Sequence, residues 1–294
     1  MPKHTKAEII ESIYTVKLSP ELFDRFTQFI QQRCGIRITP SKKNMLEGRL
    51  RKRMRALLLP TFEDYARCLF HRKKSAPDET AFFLDAITTN KTEFFREAAH
   101  FDYLCDTILP TFIKRRDRHH AHTFRIWSAG CSSGEEPYSL AMILNEFAEK
   151  NPLFSYAILA TDLSNRELVT AKAGEYNKSQ LDDIETEYRS KYFTTARTEG
   201  SDRRQVIAAL RRSITFKHVN LMAPAFPIRK PLQAVFCRNV MMYFDRSART
   251  QLVSRLAEKI EPGGYLFTGH SESLAGLNTN LKLVANAVYQ KPRT

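Results

Sequence analysis

The feature that most limits how this chain can fold is an alternation of short apolar runs with helical patterns between residues 123 and 268. Thr123 to Ser128, Tyr156 to Thr161 and Ala234 to Cys237 are of strand length, apolar, and end in turns. Helical patterns at 136–149, 164–173 and 246–260 alternate with them. Strands that read as continuous apolar runs are covered on both faces, so the pattern predicts a mostly parallel sheet with helices on both sides. Gly264 to Thr268 and the stretch from Leu281 to Tyr289 predict two further strands. Between 177 and 218 the alternation breaks into a charged segment with strand-like Gln205 to Ala208 and Ile214 to Phe216, read as an insertion at the sheet's edge.

The residues before this region read as helices. Ser19-Pro20 supplies an N-cap followed by proline at the first helical position. Leu22, Phe23, Phe26, Phe29 and Ile30 then recur at helical spacing until Gly35. A second helix starts near Ser41, buries Met45, Leu46, Leu50, Met54 and Leu57, and carries Lys42, Lys43, Arg49, Arg51, Lys52, Arg53 and Arg55 on its other faces. A short third helix spans Phe62 to Phe70, and the polar stretch His71 to Glu79 reads as a linker. The expected organisation is a helical domain over 1–76 and an α/β domain over 77–294, with the insertion at about 177–218. Phe82 to Ile87 and a helix at about 98–116 fall in the second domain.

Charge and cysteines narrow the class. The 294 residues carry 46 basic and 32 acidic side chains, a net of +14. Residues 1–90 hold 17 of the basic and 10 of the acidic ones, so half of the excess sits in under a third of the chain. That asymmetry points to an N-terminal surface facing an anionic partner: nucleic acid, a membrane or an acidic protein. The five cysteines are widely spaced with no C-x-x-C pair, which argues against a disulfide framework or a zinc cluster. The N-terminus does not read as a signal peptide and no apolar run approaches 18 residues, so the expectation is a reduced, cytoplasmic protein without membrane insertion.

The most informative segment runs from Phe124 through Gly130-Cys-Ser-Ser-Gly134 to Glu135-Glu136. A buried strand ends in a turn of small residues and opens a helix, the arrangement in which doubly wound folds let a ligand approach the backbone. Two acids at the helix start would repel a pyrophosphate but suit the sulfonium and amino group of S-adenosylmethionine (AdoMet). The competing reading is a plain turn whose acids complement the helix dipole. Asp162, at the tip of the next strand, is placed to accept from ribose hydroxyls; alternatively Asp162 or Ser164 caps the helix at 164–173. Thr88 to Arg96 sets polar groups beside Phe94-Phe95, a pair that reads as core. In Asn239-Val-Met-Met no prolines follow the asparagine, which disfavours methylation of a planar amine.

The blocks 88–96, 126–140, 160–163, 236–245 (FCRNVMMYFD) and 263–274 (GGYLFTGHSESL), with GRLRKRMRALLL near the start, resemble the CheR-type chemotaxis receptor methyltransferases over nearly the whole chain. The resemblance implies a class I AdoMet-dependent methyltransferase fold, Rossmann-like, with a helical N-terminal domain and a small β-subdomain. It implies transfer of methyl from AdoMet to glutamate carboxylates on the cytoplasmic helices of chemoreceptors, giving methyl esters and S-adenosylhomocysteine. Residue by residue, Asn90, Thr92 and Arg96 match the family's cofactor-contacting loop, Glu136 its first-turn acid and Asp162 its ribose acid. Asn220 and Leu221 match a loop beside the adenine, Arg238 and Asn239 border the cofactor, and Tyr243 joins Arg96 at the methyl-transfer site. Gly130-Cys131 departs from alanines found in some relatives, a change between small residues.

Further expectations follow from the likeness. Arg49, Lys52, Arg53 and Arg55 are candidates for docking acidic receptor helices, and in some members the β-subdomain pairs with a receptor's C-terminal tail peptide. The protein is expected to act as a monomer, with no metal and no nucleic-acid partner. The run His119-His120-Ala121-His122 has no family counterpart and reads as solvated loop, with at most adventitious metal binding. The rival readings are a catalytically silent AdoMet-binding regulator and a nucleic-acid methyltransferase.

Overall fold

A computed structural model describes residues 6–71, 78–115, 122–196 and 202–293. The chain divides into two compact units. One comprises the residues up to Thr89 together with Tyr243–Asp245; the other comprises Asn90–Met242 and Arg246–Thr294.

The first unit is helical: α1 (Lys6–Thr15), α2 (Pro20–Cys34), α3 (Lys43–Leu57), α4 (Phe62–Phe70) and α5 (Glu79–Ile87). The expected start and stop of α2 are present: Ser19 accepts the Leu22 N–H, and Gly35 closes the helix at φ 74°. Helix α1 is an element that the sequence reading did not anticipate. Phe26 is fully buried and meets Tyr65, Phe70 and Phe83 at ring-centroid distances of 6.0, 5.5 and 5.9 Å. Fully burying a phenylalanine side chain contributes about 1.5–3 kcal/mol.

This core corrects the expected domain boundary at 76/77. Helix α5 belongs to the helical unit, which ends at Thr89. The reason is physical: Phe83 packs into the aromatic core, while Glu79 takes two bonds from Arg53 (2.6 and 2.8 Å) and one from the Tyr65 hydroxyl (3.0 Å). Residues 72–77, most of the supposed linker, lie outside the described residues.

The second unit opens with α6 (Ala99–Tyr103), a π-helical turn (Leu104–Ile108) and α7 (Leu109–Arg115). Strand β1 (His122–Ala129) leads through α8 (Glu135–Lys150) to β2 (Phe154–Asp162) and α9 (Asn165–Ala173). After β3 (Glu175–Asn177), α10 (Thr186–Tyr192), β4 (Phe193–Thr195), β5 (Arg203–Val206) and α11 (Ala208–Ser213), strand β6 (Ile214–His218) returns to the main sheet. Then come β7 (Leu232–Cys237), α12 (Arg246–Lys259), β8 (Ile260–Thr268), β9 (Lys282–Ala285) and β10 (Val288–Gln290).

The main sheet has seven strands in the order β6-β2-β1-β7-β8-β10-β9. The first five are parallel and β10 runs antiparallel between β8 and β9. This is the class I AdoMet-dependent methyltransferase architecture, as expected. A smaller antiparallel sheet, β3-β5-β4, forms the insertion. Two expectations are corrected here. The insertion does not reach 218, because β6 pairs in parallel with β2, Ile158 opposite Ile214, and buries Ile214 as any strand of the main sheet does. The stretch Leu281 to Tyr289 holds two strands of a hairpin rather than one, turning where Ala287 takes φ 54°.

The chain moves outward from β1 to β2 to β6 and then crosses back to β7 on β1's other side. The carboxyl ends of β1 and β7 therefore flank the topological switch point, where a parallel sheet leaves a crevice for a ligand.

Candidate active site

The turn after β1 is built to come close to the strand tips. The N–H groups of Gly130 and Cys131 both donate to the Thr161 carbonyl, at 2.8 and 2.9 Å. Gly130 sits at φ +92°, and a β-carbon there would lie 2.5 Å from a methyl of Val240, so a larger residue in this backbone would be strained and would push that side chain aside. Gly134 precedes α8 at φ +102°, where a β-carbon would come within 2.8 Å of the Tyr176 hydroxyl. The pair Glu135-Glu136 then begins the helix.

Asp162 ends β2 and is buried. One carboxylate oxygen accepts the Ser132 N–H and the other the Ser164 N–H, both at 2.8 Å. Helix α9 is capped by Ser164, which accepts from Glu167 N–H at 3.2 Å. The cap is thus supplied without Asp162, which instead ties the β1 turn to the β2 tip. Burial pushes the Asp162 carboxyl above its usual range, while the two N–H groups pull the other way.

A second cluster forms around Arg238, just past β7, whose side chain is 2% exposed. Its guanidinium donates to Glu136 at 3.1 Å, to Glu97 at 3.0 and 3.3 Å, and to the Arg96 carbonyl. Glu136 also accepts from Ser128 Oγ at 2.6 Å. Burial raises the Glu136 carboxyl, with Arg238 opposing the shift; Arg238 and the His270 N–H hold Glu97 below the usual carboxylate range against its own desolvation. Asn239 occupies the left-handed region at φ 58°, with its N–H donating to Glu272 at 2.7 Å and its side-chain amide reaching Glu97 at 3.4 Å. Glu272 is buried and also accepts from the N–H groups of Met242 (2.9 Å) and Gly269 (2.8 Å).

The polar loop before α6 is anchored by its phenylalanines. Phe94 meets Tyr176 and Phe193 at 4.9 and 5.6 Å, and Phe95 meets Phe101 and Tyr188 at 5.5 and 5.7 Å, so the core reading of this pair holds. The carbonyl of Asn90 accepts from Ser132 Oγ at 3.1 Å, which joins this loop to the β1 turn. Thr92 is half-buried, and Arg96 is half-exposed with its guanidinium donating to the Lys91 carbonyl at 2.9 Å. After β6, Asn220 Oδ1 accepts the Met222 N–H at 2.9 Å, forming an Asx-turn that presents the buried Leu221.

Of the expected site residues, the structure brings Asn90, Asp162, Glu136, Arg238 and Asn239 into two hydrogen-bonded clusters at the carboxyl edge of the sheet. Tyr243 belongs to the helical unit, where its carbonyl accepts from the Arg37 N–H at 2.8 Å and Lys42 lies 5.9 Å from its ring. The four docking candidates on α3 divide. Lys52 and Arg55 are exposed, Arg55 donating to the Tyr14 hydroxyl at 2.7 Å. Arg49 bonds the Ile87 carbonyl and Thr89 Oγ1 (2.7 Å), and Arg53 is held by Glu79; both are committed within the helical unit. In the histidine run, His119 to Ala121 lie outside the described residues, while His122 opens β1.

Sequence reasoning missed Glu97, His100, His270, Ser132 and Glu272. Glu97 follows directly on the block ending at Arg96, and His270 and Glu272 lie in GGYLFTGHSESL, in or beside the quoted blocks but with nothing local to mark a role. Arg238 was expected to border the cofactor; its guanidinium joins two acids of the protein.

Residues 90–290 match the family model described as CheR methyltransferase, SAM binding domain, and residues 21–88 match CheR methyltransferase, all-alpha domain. The chain is 35% identical over 277 residues to a chemotaxis protein methyltransferase of Borreliella burgdorferi, covering 94% of this chain and 96% of that one. It is 33% identical to chemotaxis protein methyltransferases of Salmonella typhimurium (98% and 96% covered) and Escherichia coli (96% and 94%).

Proposed function

This chain belongs to the CheR methyltransferase family and is an AdoMet-dependent methyltransferase of chemotaxis, and from that premise we propose that its substrates are glutamate carboxylates on the cytoplasmic helices of chemoreceptors, converted to methyl esters. The observation that carries the cofactor reading is the donor set at the switch point. AdoMet offers an ammonium, two ribose hydroxyls and a sulfonium, all of which seek acceptors or negative charge, and the tips of β1 and β2 present Glu136 and Asp162 rather than cations. When bound, AdoMet supplies a methyl group on a positively charged sulfur.

Asp162 is suited to hold the ribose because each of its oxygens takes one backbone N–H and keeps a lone pair. Glu136 would face the ammonium, and Asn90 and Thr92 would line the same cofactor. Asn220, Leu221 and the segment Arg238-Asn239 would border the adenine and the methyl-transfer region. Arg238 has a second task in this reading: it keeps Glu136 and Glu97 in place.

The receptor glutamate, with an ordinary pKa near 4.3, is ionised at neutral pH and needs no general base. The protein's work is to align the attacking oxygen and strip it of water. Arg96 orients the carboxylate without a tight pair that would blunt it, and the Tyr243 hydroxyl donates to the non-attacking oxygen. Methyl esters fit better than methylated amines because no proline follows Asn239. The exposed Lys52 and Arg55 of α3 would meet an acidic receptor bundle, and the β3-β5-β4 sheet could take a receptor tail as an added strand. Among the described residues no helix is long and apolar enough to cross a membrane, and we place the protein in the cytoplasm, acting as a monomer.

The test is methyl-labelled AdoMet with receptor-containing membranes from the same host, followed by mild alkali. Volatile labelled methanol that requires the protein and is lost in Asp162→Ala supports the reading. AdoMet binding by calorimetry without transfer favours a silent regulator, and alkali-stable label in nucleic acid favours the other rival. Full turnover in both Arg96→Ala and Tyr243→Phe removes the roles given to those side chains.

A further inference from the structure

Overlapping the Arg238 cluster at Glu97 lies a group of side chains to which methyl transfer gives no chemical role. Glu97, His100 and His270 each contribute one donor atom, and the three atoms lie within 4.8 Å of one another. They come from two parts of the chain: Glu97 just before α6 and His100 in its first turn, and His270 from the loop after β8.

The state of His100 is informative. Its side chain is 1% exposed and its Nε2 lies 3.2 Å from the Asn286 carbonyl. A carbonyl only accepts, so Nε2 carries the proton and Nδ1 is left with a bare lone pair. That Nδ1 is buried without a hydrogen-bond partner, 3.4 Å from Glu97 Oε2. Two lone pairs therefore confront each other in the interior, and a cation between them would turn a repulsion into two bonds. A backbone carbonyl on the far ring nitrogen is also the usual outer partner of a metal-bound histidine.

Spacing and chemistry agree on the class of ion. Zinc bonds of about 2.0 Å to nitrogen and oxygen place neighbouring tetrahedral ligands about 3.3 Å apart. The His100 Nδ1 to Glu97 Oε2 distance is 3.4 Å and the His270 Nε2 to Glu97 Oε2 distance is 4.0 Å. His270 is 40% exposed, so its ring can close the difference and leave the remaining position to water. Two imidazoles and one carboxylate suit a zinc-class ion and not magnesium or calcium, which take oxygen ligands. Glu97 is held at φ 57°, a left-handed backbone that aims its carboxylate between Arg238 and the two rings.

We propose that Glu97, His100 and His270 form a site for one divalent transition-metal ion of the zinc class, with water completing its coordination. The sequence reading assigned no metal to the protein, and cysteine-based motifs gave no reason to. The ion would share the Glu97 Oε2 that accepts from Arg238, and Arg238 keeps its bond to Glu136.

Calorimetric titration of the full chain with zinc chloride, and visible spectra of the cobalt-loaded protein, test this. Two other sites must be kept apart: the histidine run and the exposed Cys68. The reference protein is therefore His119→Ala/His120→Ala. The expected result is one zinc per chain in that background, with cobalt bands of low coordination number and no sulfur-to-metal charge transfer. His270→Ala, at an exposed position that folding tolerates, weakens binding by at least the ~100-fold that loss of even an outer partner can cause. Equal binding in His270→Ala, disappearance of binding in the His119→Ala/His120→Ala background, a thiolate charge-transfer band, or no binding at all would each overturn the proposal.

Discussion

The helical unit and the sheet unit each hold an arginine against buried carboxylate, but they assemble the pair differently. Arg53 meets Glu79 across 26 residues, keeps 21% of its side chain exposed, and has Tyr65 as a third member. Arg238 meets Glu136 and Glu97 across 102 and 141 residues, and only 2% of its side chain is exposed. In the helical unit the pair decorates a core that Phe26, Tyr65 and Phe83 already define. In the sheet unit the charges are the interior at that point: one guanidinium shared by two acids and a backbone carbonyl, at the edge where five parallel strands end. The first arrangement adds to a fold; the second makes three distant loops depend on one side chain.

The largest expected effect tests that dependence. Arg238→Ala leaves the half-buried Glu97 and Glu136 without their cation, a situation that costs about 3–5 kcal/mol where the acids are fully buried and less here. A steep drop in thermal stability is expected together with loss of AdoMet binding by calorimetry. Arg238→Lys keeps the charge but loses the fork that serves both acids, so it should recover only part of either. A variant Arg238→Ala with near-normal melting would mean that the cluster is not what holds the loops.

Glu272 comes next. It accepts three backbone N–H groups, from Asn239, Met242 and Gly269, and fixes the turn after β7. Hydrogen bonds to a charged group are worth about 1.5–3 kcal/mol each, and water can replace some of them once the side chain is removed. Glu272→Ala should therefore cost about 3 kcal/mol, while Glu272→Gln, which keeps one acceptor oxygen, should cost less. Denaturant titration of the two variants reads the difference.

The same contrast explains what was legible in the sequence. The helices of the first unit announce themselves by apolar spacing, by Ser19 as a cap and by Gly35 as a stop, because all of those signals act within four residues. The parallel sheet was legible because its strands are apolar throughout. Asp162 and Glu136 stood at the ends of such strands and could be picked out by place. Glu97 and Glu272 could not, because what makes them matter is a partner 141 or 33 residues away. The boundary of the helical unit was misjudged for the same reason: the polar stretch after His71 reads as a linker, and only the contact of Glu79 with Arg53 shows that α5 belongs to what precedes it. Strand β6 was assigned to the insertion because it follows the small sheet in the chain, although it pairs with β2.

Arg53→Ala carries the comparison back to the helical unit. Glu79 keeps the Tyr65 hydroxyl, and its surroundings are wetter than those of Arg238, so a loss of about 1–2 kcal/mol is expected, with AdoMet binding unchanged. The ion pair raises the Arg53 pKa and, through a guanidinium 4.3 Å from the Phe82 ring, also covers an exposed aromatic. If Arg53→Ala proved as damaging as Arg238→Ala, the distinction between an added pair and a structural one would fail.

The smallest effect comes from the two adjacent acids that open α8. Glu136 has Arg238; Glu135 is the more buried of the two and, among the described residues, its carboxylate takes Ser133 Oγ (2.7 Å) and Gln180 Nε2 (3.4 Å) as partners, with Glu167 nearby. Desolvation therefore raises the Glu135 carboxyl above its ordinary value, while Ser133 and its own backbone N–H oppose the shift. For an acid with a raised folded-state pKa, the folded protein binds the proton more readily than the unfolded chain. The cost of burying the charge is present at neutral pH and is relieved as pH falls through the folded-state value. Glu135→Gln removes that cost while keeping the shape, so it should match or exceed the parent's stability at pH 7, by under about 1 kcal/mol. The parent should gain on the variant as the pH is lowered toward the carboxylate range. Burial raises the Glu136 carboxyl as well, but Arg238 opposes the shift, so Glu136→Gln should gain less at pH 7 than Glu135→Gln because it removes a charge that faces Arg238. Melting curves of both variants at pH 7 and pH 5 separate the two acids, and identical behaviour would show that Arg238 does not distinguish between them.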